Sequence, residues 1–265
     1  MGTRSRAAAC LGAASIGRKN ALVLILTASM LGGCSGSYSW GWYVVLPTTA
    51  QGLSNIQFLL SGLWQTVAIS LCAVAISAPL GLLVALPGLA RNRWIRSINR
   101  IYVEIIRSIP ILALMLWVHY GLPILLGINF SAFTSGLITL IVSDSAFTAE
   151  IFRAGIQSID KGQHEAAEAL GLNYRDKMRD VIVPQAIRRI LPALGNQFVY
   201  IVKMSSILSI VGVFELTKKA NELTTTIYRP LEIYTFLCLE YLVLVLIISA
   251  GVRRLERWLT IDRRA

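Results

Sequence analysis

The sequence predicts an all-α membrane protein with about five transmembrane helices, preceded by a short, signal-like N-terminal apolar segment. Three observations lead there. The 265-residue chain is 55% hydrophobic, with a mean hydropathy of +0.63 and only 15% charged residues, where a soluble domain carries roughly 25%. Two stretches, Gly62 to Ala90 and Ser108 to Ser143, contain no Asp, Glu, Lys or Arg, and about 20 apolar residues suffice to cross about 30 Å of hydrocarbon. Clusters of Arg and Lys fall between the apolar runs at alternate intervals, as they do in the cytoplasmic loops of multi-pass proteins.

The first apolar stretch, Ala21 to Met30, follows Arg18-Lys19 and is followed by Leu31-Gly-Gly-Cys34. A basic region, a short apolar run and a small-residue site make a signal-like segment over residues 1–34. Leu-Gly-Gly-Cys resembles a lipobox, which makes Cys34 the lipidation candidate. An uncleaved, short first helix, or a start codon placed too far upstream, fits the same residues. Either way residues 35–61 are expected on the outer side as a lead-in to the membrane.

The transmembrane domain is expected over residues 62–254. Helix 1 lies within Gly62 to Ala90, bent near Pro79 or ended near Pro87. Four arginines between Arg91 and Arg100 mark an inside loop. Helix 2 starts near Ile98, carrying Glu104 and Arg107 inward, and breaks at Gly121-Leu-Pro123 and Gly127-Ile-Asn129 separate it from helix 3. Helix 3 is expected over Ala132 to Phe152. The interval 153–190 holds seven Lys or Arg residues and reads as cytoplasmic. Helix 4 spans Leu191 to Val213, a mixed-charge loop covers Glu215 to Arg229, and helix 5 spans Leu231 to Val252. The tail, 255–265, is inside. The N-terminus therefore lies outside and the C-terminus in the cytoplasm, in the cell (inner) membrane. The net charge of +11 is spread between spans, so it implies the lipid bilayer as partner and not nucleic acid. Trp40, Trp42 and Tyr43 outside, and Trp94 and Trp258 inside, read as interface aromatics.

Inside the cytoplasmic interval lies a polar stretch, Glu165 to Pro184. Ala166, Ala167, Ala169 and Leu170 give a short helix a small, smooth face. Glu165 and Glu168 favour its N-terminal end through the helix dipole. Gly171 can stop it in a left-handed conformation, and a second helix from Tyr174 re-enters the membrane at Pro184. Such a helix either lies on lipid headgroups or docks in a groove of a partner.

The pattern Glu165-Ala166-Ala167, Gly171, then Val181-Ile182-Val183-Pro184 resembles the EAA loop of permease subunits of ABC importers. That family usually has Ile and Leu where Val181 and Val183 stand. The segments "AEIFRAGIQSIDKGQHEAAEALGL", "VPQAIRRILPALGNQFVYIVK" and "SSILSIVGVFELTKKANEL" are similar to permeases of polar amino-acid uptake systems, over about Leu60 to Leu259. The resemblance implies the type I importer permease fold and an EAA helix seated in a separate ABC ATPase dimer, with Asp160, Lys161 and Gly162 leading into that contact. It also implies a second permease subunit, identical or sibling, an external solute-binding protein, and an amino-acid substrate. The phrases "RSIPILALMLWVHYGLPILLGI" and "IYRPLEIYTF" are similar to relatives handling acidic amino acids. The chain has no Gly-x4-Gly-Lys-Ser/Thr stretch, so no cofactor is expected on it and ATP belongs to the partner.

Ionisable groups within spans are costly and mark function or pairing. Asp144, followed by Ser145, stands in helix 3 where many relatives have Asn-Ser, near that family's translocation path. It either meets a substrate ammonium or pairs with Lys203 or Arg107. Asn196, Tyr200 and Lys203 share one face of helix 4, continued by Ser206. Glu150 and Arg153 are spaced to pair at the inner surface. Glu240 in helix 5 is either a subunit contact or a pore group. Cys72 and Cys238 read as small core residues, and His119 and His164 make no metal-ligand spacing. No nucleophile–base pair stands close in sequence, and no enzyme is expected. The alternative to an ATP-driven permease is an ATP-independent helical channel or secondary carrier.

Overall fold

The computed structural model describes residues 38–90 and 92–261, the last four of these by backbone alone. The signal-like segment, with Cys34, lies outside the described residues, as do Arg91 and the side chain of Trp258. The chain divides into two compact units, Met1–Gly41 and Trp42–Ala265. In the first, Tyr38 and Trp40 meet edge to face at 5.7 Å. All that follows concerns the second, which is helical throughout its described secondary structure.

A 3-10 turn, Trp42–Val44, leads into helix α1 (Ala50–Leu60), capped by the Thr49 hydroxyl, which accepts from Gly52 N. Asn55 ties the two by donating Nδ2 to the Val44 carbonyl at 2.9 Å. Helix α2 (Leu63–Gly88) runs through Pro79 and ends one residue past Pro87, where the sequence placed its end. Membrane helices tolerate proline because neighbours satisfy the freed backbone groups.

Helix α3 (Arg93–Ser108) begins at Asn92, whose side chain accepts from Trp94 N. It does not continue as one straight span. Ile109 is extended, as a residue before proline prefers, and the chain turns by 94° between α3 and the stretch Ile111–Leu126. That stretch comprises α4 (Ile111–Leu116), a π-turn (Trp117–Gly121) and α5 (Leu122–Leu126). The expected helix 2 is thus a broken span, turned by Pro110 well before the glycines at 121 and 127.

Helix α6 (Ala132–Gln157) is five residues longer than expected. Helix α7 (Lys161–Ala169) follows, then a short α8 (Tyr174–Asp176) and a π-segment (Lys177–Ile182) that passes directly into α9 (Val183–Met204). Pro184 follows directly on the π-segment, whose Val183 N bonds back to the Met178 carbonyl, so the widened turn takes up the donor that proline lacks. A 3-10 run, Ser205–Val211, ends at Gly212, and the expected mixed-charge loop is instead helix α10 (Leu216–Ile227). Helix α11 (Pro230–Ile261) closes the chain and carries its helix into the tail. Four stretches are long and apolar enough to span a membrane, or five if the bent pair is counted as one span.

In lipid, helices associate through close packing more than through apolar burial. The α2–α6 pair shows how. Ala73, Ser77, Gly81 and Ala85, one per turn of α2, are buried and face Asp144, Thr148 and Ala149 of α6. A Cβ on Gly81 would stand 2.8 Å from Thr148 Cβ, so the backbones approach as they do only because glycine is there. Two apolar clusters flank this seam, one around Ile69, Leu140 and Ile201, the other around Leu59, Val202 and Ile233. Cys72 and Cys238, expected in the core, are exposed on the outer faces of α2 and α11. Thiols this apolar need no protein partner against lipid.

Candidate functional site

Two polar constructions stand out, one at the elbow between α6 and α9 and one within the seam between the spans. The elbow is α7. Asp160 caps it, its Oδ1 accepting from Gly162 N at 2.8 Å. The helix therefore starts at Lys161, four residues before Glu165, and Glu168 stands in its last turn. The expected dipole role of Glu168 is corrected by this: at that end a carboxylate is unfavourable. Its charge is balanced by Lys177, whose Nζ donates to Glu168 Oε1 at 2.6 Å. Gly171 adopts φ +75°, and Leu172 N and Gly171 N bond back to the carbonyls of Ala167 and Glu168 at 3.1 and 2.9 Å, the Schellman arrangement.

The elbow is also tied to the spans. Gln185 of α9 donates to Gln163 of α7 at 3.0 Å. Arg189 of α9 donates to the Ser158 carbonyl and, at 3.1 Å, to its hydroxyl. Beneath, Ile159, Ile182, Ala186 and Ile190 form a cluster of their own. Ala167 is the one α7 side chain turned into the protein, 2% exposed, while Glu165, Ala166 and Gly171 are exposed and Leu170 is 80% exposed. A rigid, tethered helix thus presents an exposed face away from the membrane domain.

Within the seam, Asp144 is 1% exposed. Ser77 of α2 donates to its Oδ2, Gln197 of α9 donates Nε2 to its Oδ1 at 2.6 Å, and Thr148 lies within 3.4 Å. Neither expected partner reaches it. Arg107 instead lies over the Phe147 ring, 4.9 Å from its centroid, and Phe147 packs against Tyr200. Lys203 is exposed on α9, with no ion pair among the described residues. Asn196 is exposed on the same helix, and Ser206 is half-buried with its hydroxyl donating to the Lys203 carbonyl at 2.8 Å. Ser145 is buried and shares a 2.6 Å hydrogen bond with Tyr102 of α3. The expected path residues therefore divide into a buried pair, Asp144 and Ser145, the exposed Asn196 and Lys203 of α9, and a half-buried Ser206 in the 3-10 run that follows it. Glu150 and Arg153 do pair, and Arg153 also donates to Gln157 at 2.5 Å.

One buried polar knot has no counterpart in the sequence reading. Glu215 is fully buried at the start of α10, accepting from Thr217 N, Lys218 N and the Tyr241 hydroxyl at 2.9, 2.8 and 2.7 Å. Burial pushes its carboxyl above the usual range, and those hydrogen bonds oppose the shift. Thr66 of α2 joins by accepting from Leu216 N at 3.2 Å. An acid three residues before Lys218, after the left-handed Gly212, carries the cap signal. Glu240, by contrast, has both carboxyl oxygens buried without a hydrogen-bond partner among the described residues, facing Leu60, Leu63 and Phe236.

A bundle of four long apolar helices and a bent pair, with a short tethered helix between two of the spans, has the build of a multi-pass membrane transport component. The chain belongs to the family of binding-protein-dependent transport system inner membrane components, whose pattern matches residues 77–261. It is 38% identical over 203 residues to the probable glutamine ABC transporter permease protein GlnM of Bacillus subtilis (strain 168), covering 77% of this chain and 94% of that one. It is 36% identical over 206 residues to the glutamine transport system permease protein GlnP of Escherichia coli (strain K12), covering 76% and 93%. Among solved structures it is similar to an amino acid ABC transporter crystallised with histidines, at TM-score 0.76 and 36% identity, covering 83% of this chain and 99% of that one.

Proposed function

We propose that the chain forms half of the translocation path of an ATP-driven importer for a polar amino acid, with α7 seating in a separate ATPase. The observation that carries this is the exposed face of Glu165, Ala166 and Leu170 on a helix capped at both ends and stapled to α9. A helix built so stiffly transmits displacement to the spans it is tied to. ATP is bound by the partner ATPase dimer, a second permease subunit, identical or sibling, completes the path, and an external binding protein delivers substrate. Residues 35–61 face outside, while 153–190 and the tail 255–265 face the cytoplasm.

Asp144 and Ser145 line or gate the path, with Asn196, Lys203 and Ser206 along α9. A neutral polar side chain such as that of glutamine suits this chain better than an acidic one. An acidic substrate needs a cation beside Asp144, and neither Lys203 nor Arg107 stands there. The relatives named for glutamine support the same choice. The test is uptake of labelled glutamine, glutamate, histidine and arginine into proteoliposomes holding the complete importer. ATP-dependent glutamine uptake, with a cross-link from a cysteine at position 166 to the ATPase, is expected. Transport without ATP, or accessibility of position 166 from outside, overturns the proposal.

A further inference from the structure

We infer that a charged cleft between α3 and α6, on the cytoplasmic side of Asp144, is a second binding site for a free α-amino acid. The cleft encloses about 280 Å3 and is lined by Arg96, Arg100, Glu104 and Arg107 of α3 and by Glu150 and Arg153 of α6. Six ionisable side chains do not gather against lipid, so the cleft is open to water. It begins about 9 Å along α6 from Asp144, the rise from residue 144 to residue 150, and Arg107 reaches toward that level over Phe147.

Two of these charges are already used, since Arg153 pairs with Glu150. Arg100 and Glu104 have no ion pair or side-chain hydrogen bond among the described residues, and Arg107 has only the Phe147 ring and the more distant charge of Glu150. Residues 100, 104 and 107 share one face of α3. The sequence of charge along that face is positive, negative, positive. A phosphate or an anionic headgroup placed against the arginines meets Glu104 between them. A zwitterion does not: its carboxylate faces a guanidinium, which binds it bidentately, and its ammonium faces Glu104. The site rests on the amino-acid reading above and adds to it a cytoplasmic occupancy distinct from the Asp144 cluster, suited to product release or to restraint of the importer when its product accumulates.

The test is equilibrium dialysis of labelled glutamine, histidine and arginine against the full chain purified with its ATPase, without nucleotide or binding protein. At least one of the three is expected to bind saturably. Arg100→Gln and Glu104→Gln should each weaken it about tenfold or more, the usual weight of a charge-assisted hydrogen bond. Lys177→Met, outside the cleft lining, should change it by less than about twofold, and inorganic phosphate should not displace the amino acid. Absence of binding for all three, displacement by phosphate, or retention of binding in both α3 variants overturns the inference. ATP-driven uptake is read separately. Binding without uptake sinks the proposed function and leaves the cleft, while uptake without the cleft binding does the reverse.

Discussion

Lys177 Nζ lies 2.6 Å from Glu168 Oε1, so the ammonium of the π-segment neutralises the carboxylate at the C-terminal end of α7. The lysine is 8% exposed and its partner's side chain is largely open to solvent. The pair joins the end of α7 to the π-segment nine residues further on. Lys177→Met keeps the apolar stem and removes the charge. A loss of roughly 1 kcal/mol in elbow rigidity predicts about a fivefold fall in ATP-driven uptake. The ATPase should still co-purify, since the docking face is untouched; loss of co-purification instead of transport contradicts a role in transmission.

Gly171 separates strain from contact. At φ +75° any L-residue costs roughly 1–2 kcal/mol, yet among the described residues no atom beyond its neighbours Leu170 and Leu172 lies within 4 Å of a Cβ placed there. Within the chain, Gly171→Ala and Gly171→Leu should therefore destabilise the elbow alike, measured by proteolysis at residues 170–174. Uptake should distinguish them: leucine must also fit the ATPase groove. A much lower transport rate for leucine than for alanine is expected, and equal rates argue that Gly171 faces no partner.

Asp144 is held by donors from two other helices. Asp144→Ala leaves the part-buried Gln197 amide without its acceptor and the Ser77 hydroxyl with only the Val74 carbonyl at 3.4 Å, where a stranded buried group costs about 1–3 kcal/mol. The expected result is a lower melting temperature together with at least tenfold slower uptake. Asp144→Asn keeps an acceptor and should hold the fold while altering which amino acid is transported. Unchanged selectivity in the asparagine variant assigns Asp144 to structure alone.

The spans were legible because an apolar run of such length has few other uses, and because arginines punctuate them. The EAA hairpin was legible through its glycine and its alanine face. What escaped depended on pairing across distance. Ser77 and Gln197 stand 67 and 53 positions from Asp144, and helical spacing alone pointed to Lys203. Helix α10 escaped because its apolar face, Leu216, Ala220 and Leu223, is narrow and interrupted by lysines. The 94° turn was marked only by the Ile109-Pro110 step, which competed with two glycine-rich breaks further on.

Glu215 gives the chain a pH dependence. Its carboxyl is raised by burial above the ordinary glutamate value of 4.5. A group whose folded value exceeds its unfolded one binds protons more tightly in the fold, so its contribution is most favourable in acid and declines as pH rises from about 4.5 through the folded value. Glu215→Gln keeps an acceptor and removes the titration. The melting temperature of the variant relative to the parent should therefore rise from pH 5 to pH 8. A constant difference would mean that Glu215 is as easily ionised in the fold as outside it.

Glu240 is the opposite case to Glu168. Its oxygens are buried with no donor, in a groove otherwise made of Leu60, Leu63, Phe236, Leu239, Val243, Leu244 and Ile247. A stranded buried polar group costs about 1–3 kcal/mol, and leucine of similar volume removes that cost without opening a cavity. In the isolated chain, Glu240→Leu should raise the melting temperature, by roughly 2–4 °C per kcal/mol in a domain of this size. The assembled importer decides between a relic and a contact. If a second subunit supplies the missing donor, the same substitution must stabilise the monomer and weaken the assembly, because leucine strands that donor instead. Thermal midpoints measured on both forms should then move in opposite directions; movement upward in both means that no partner reaches this carboxyl.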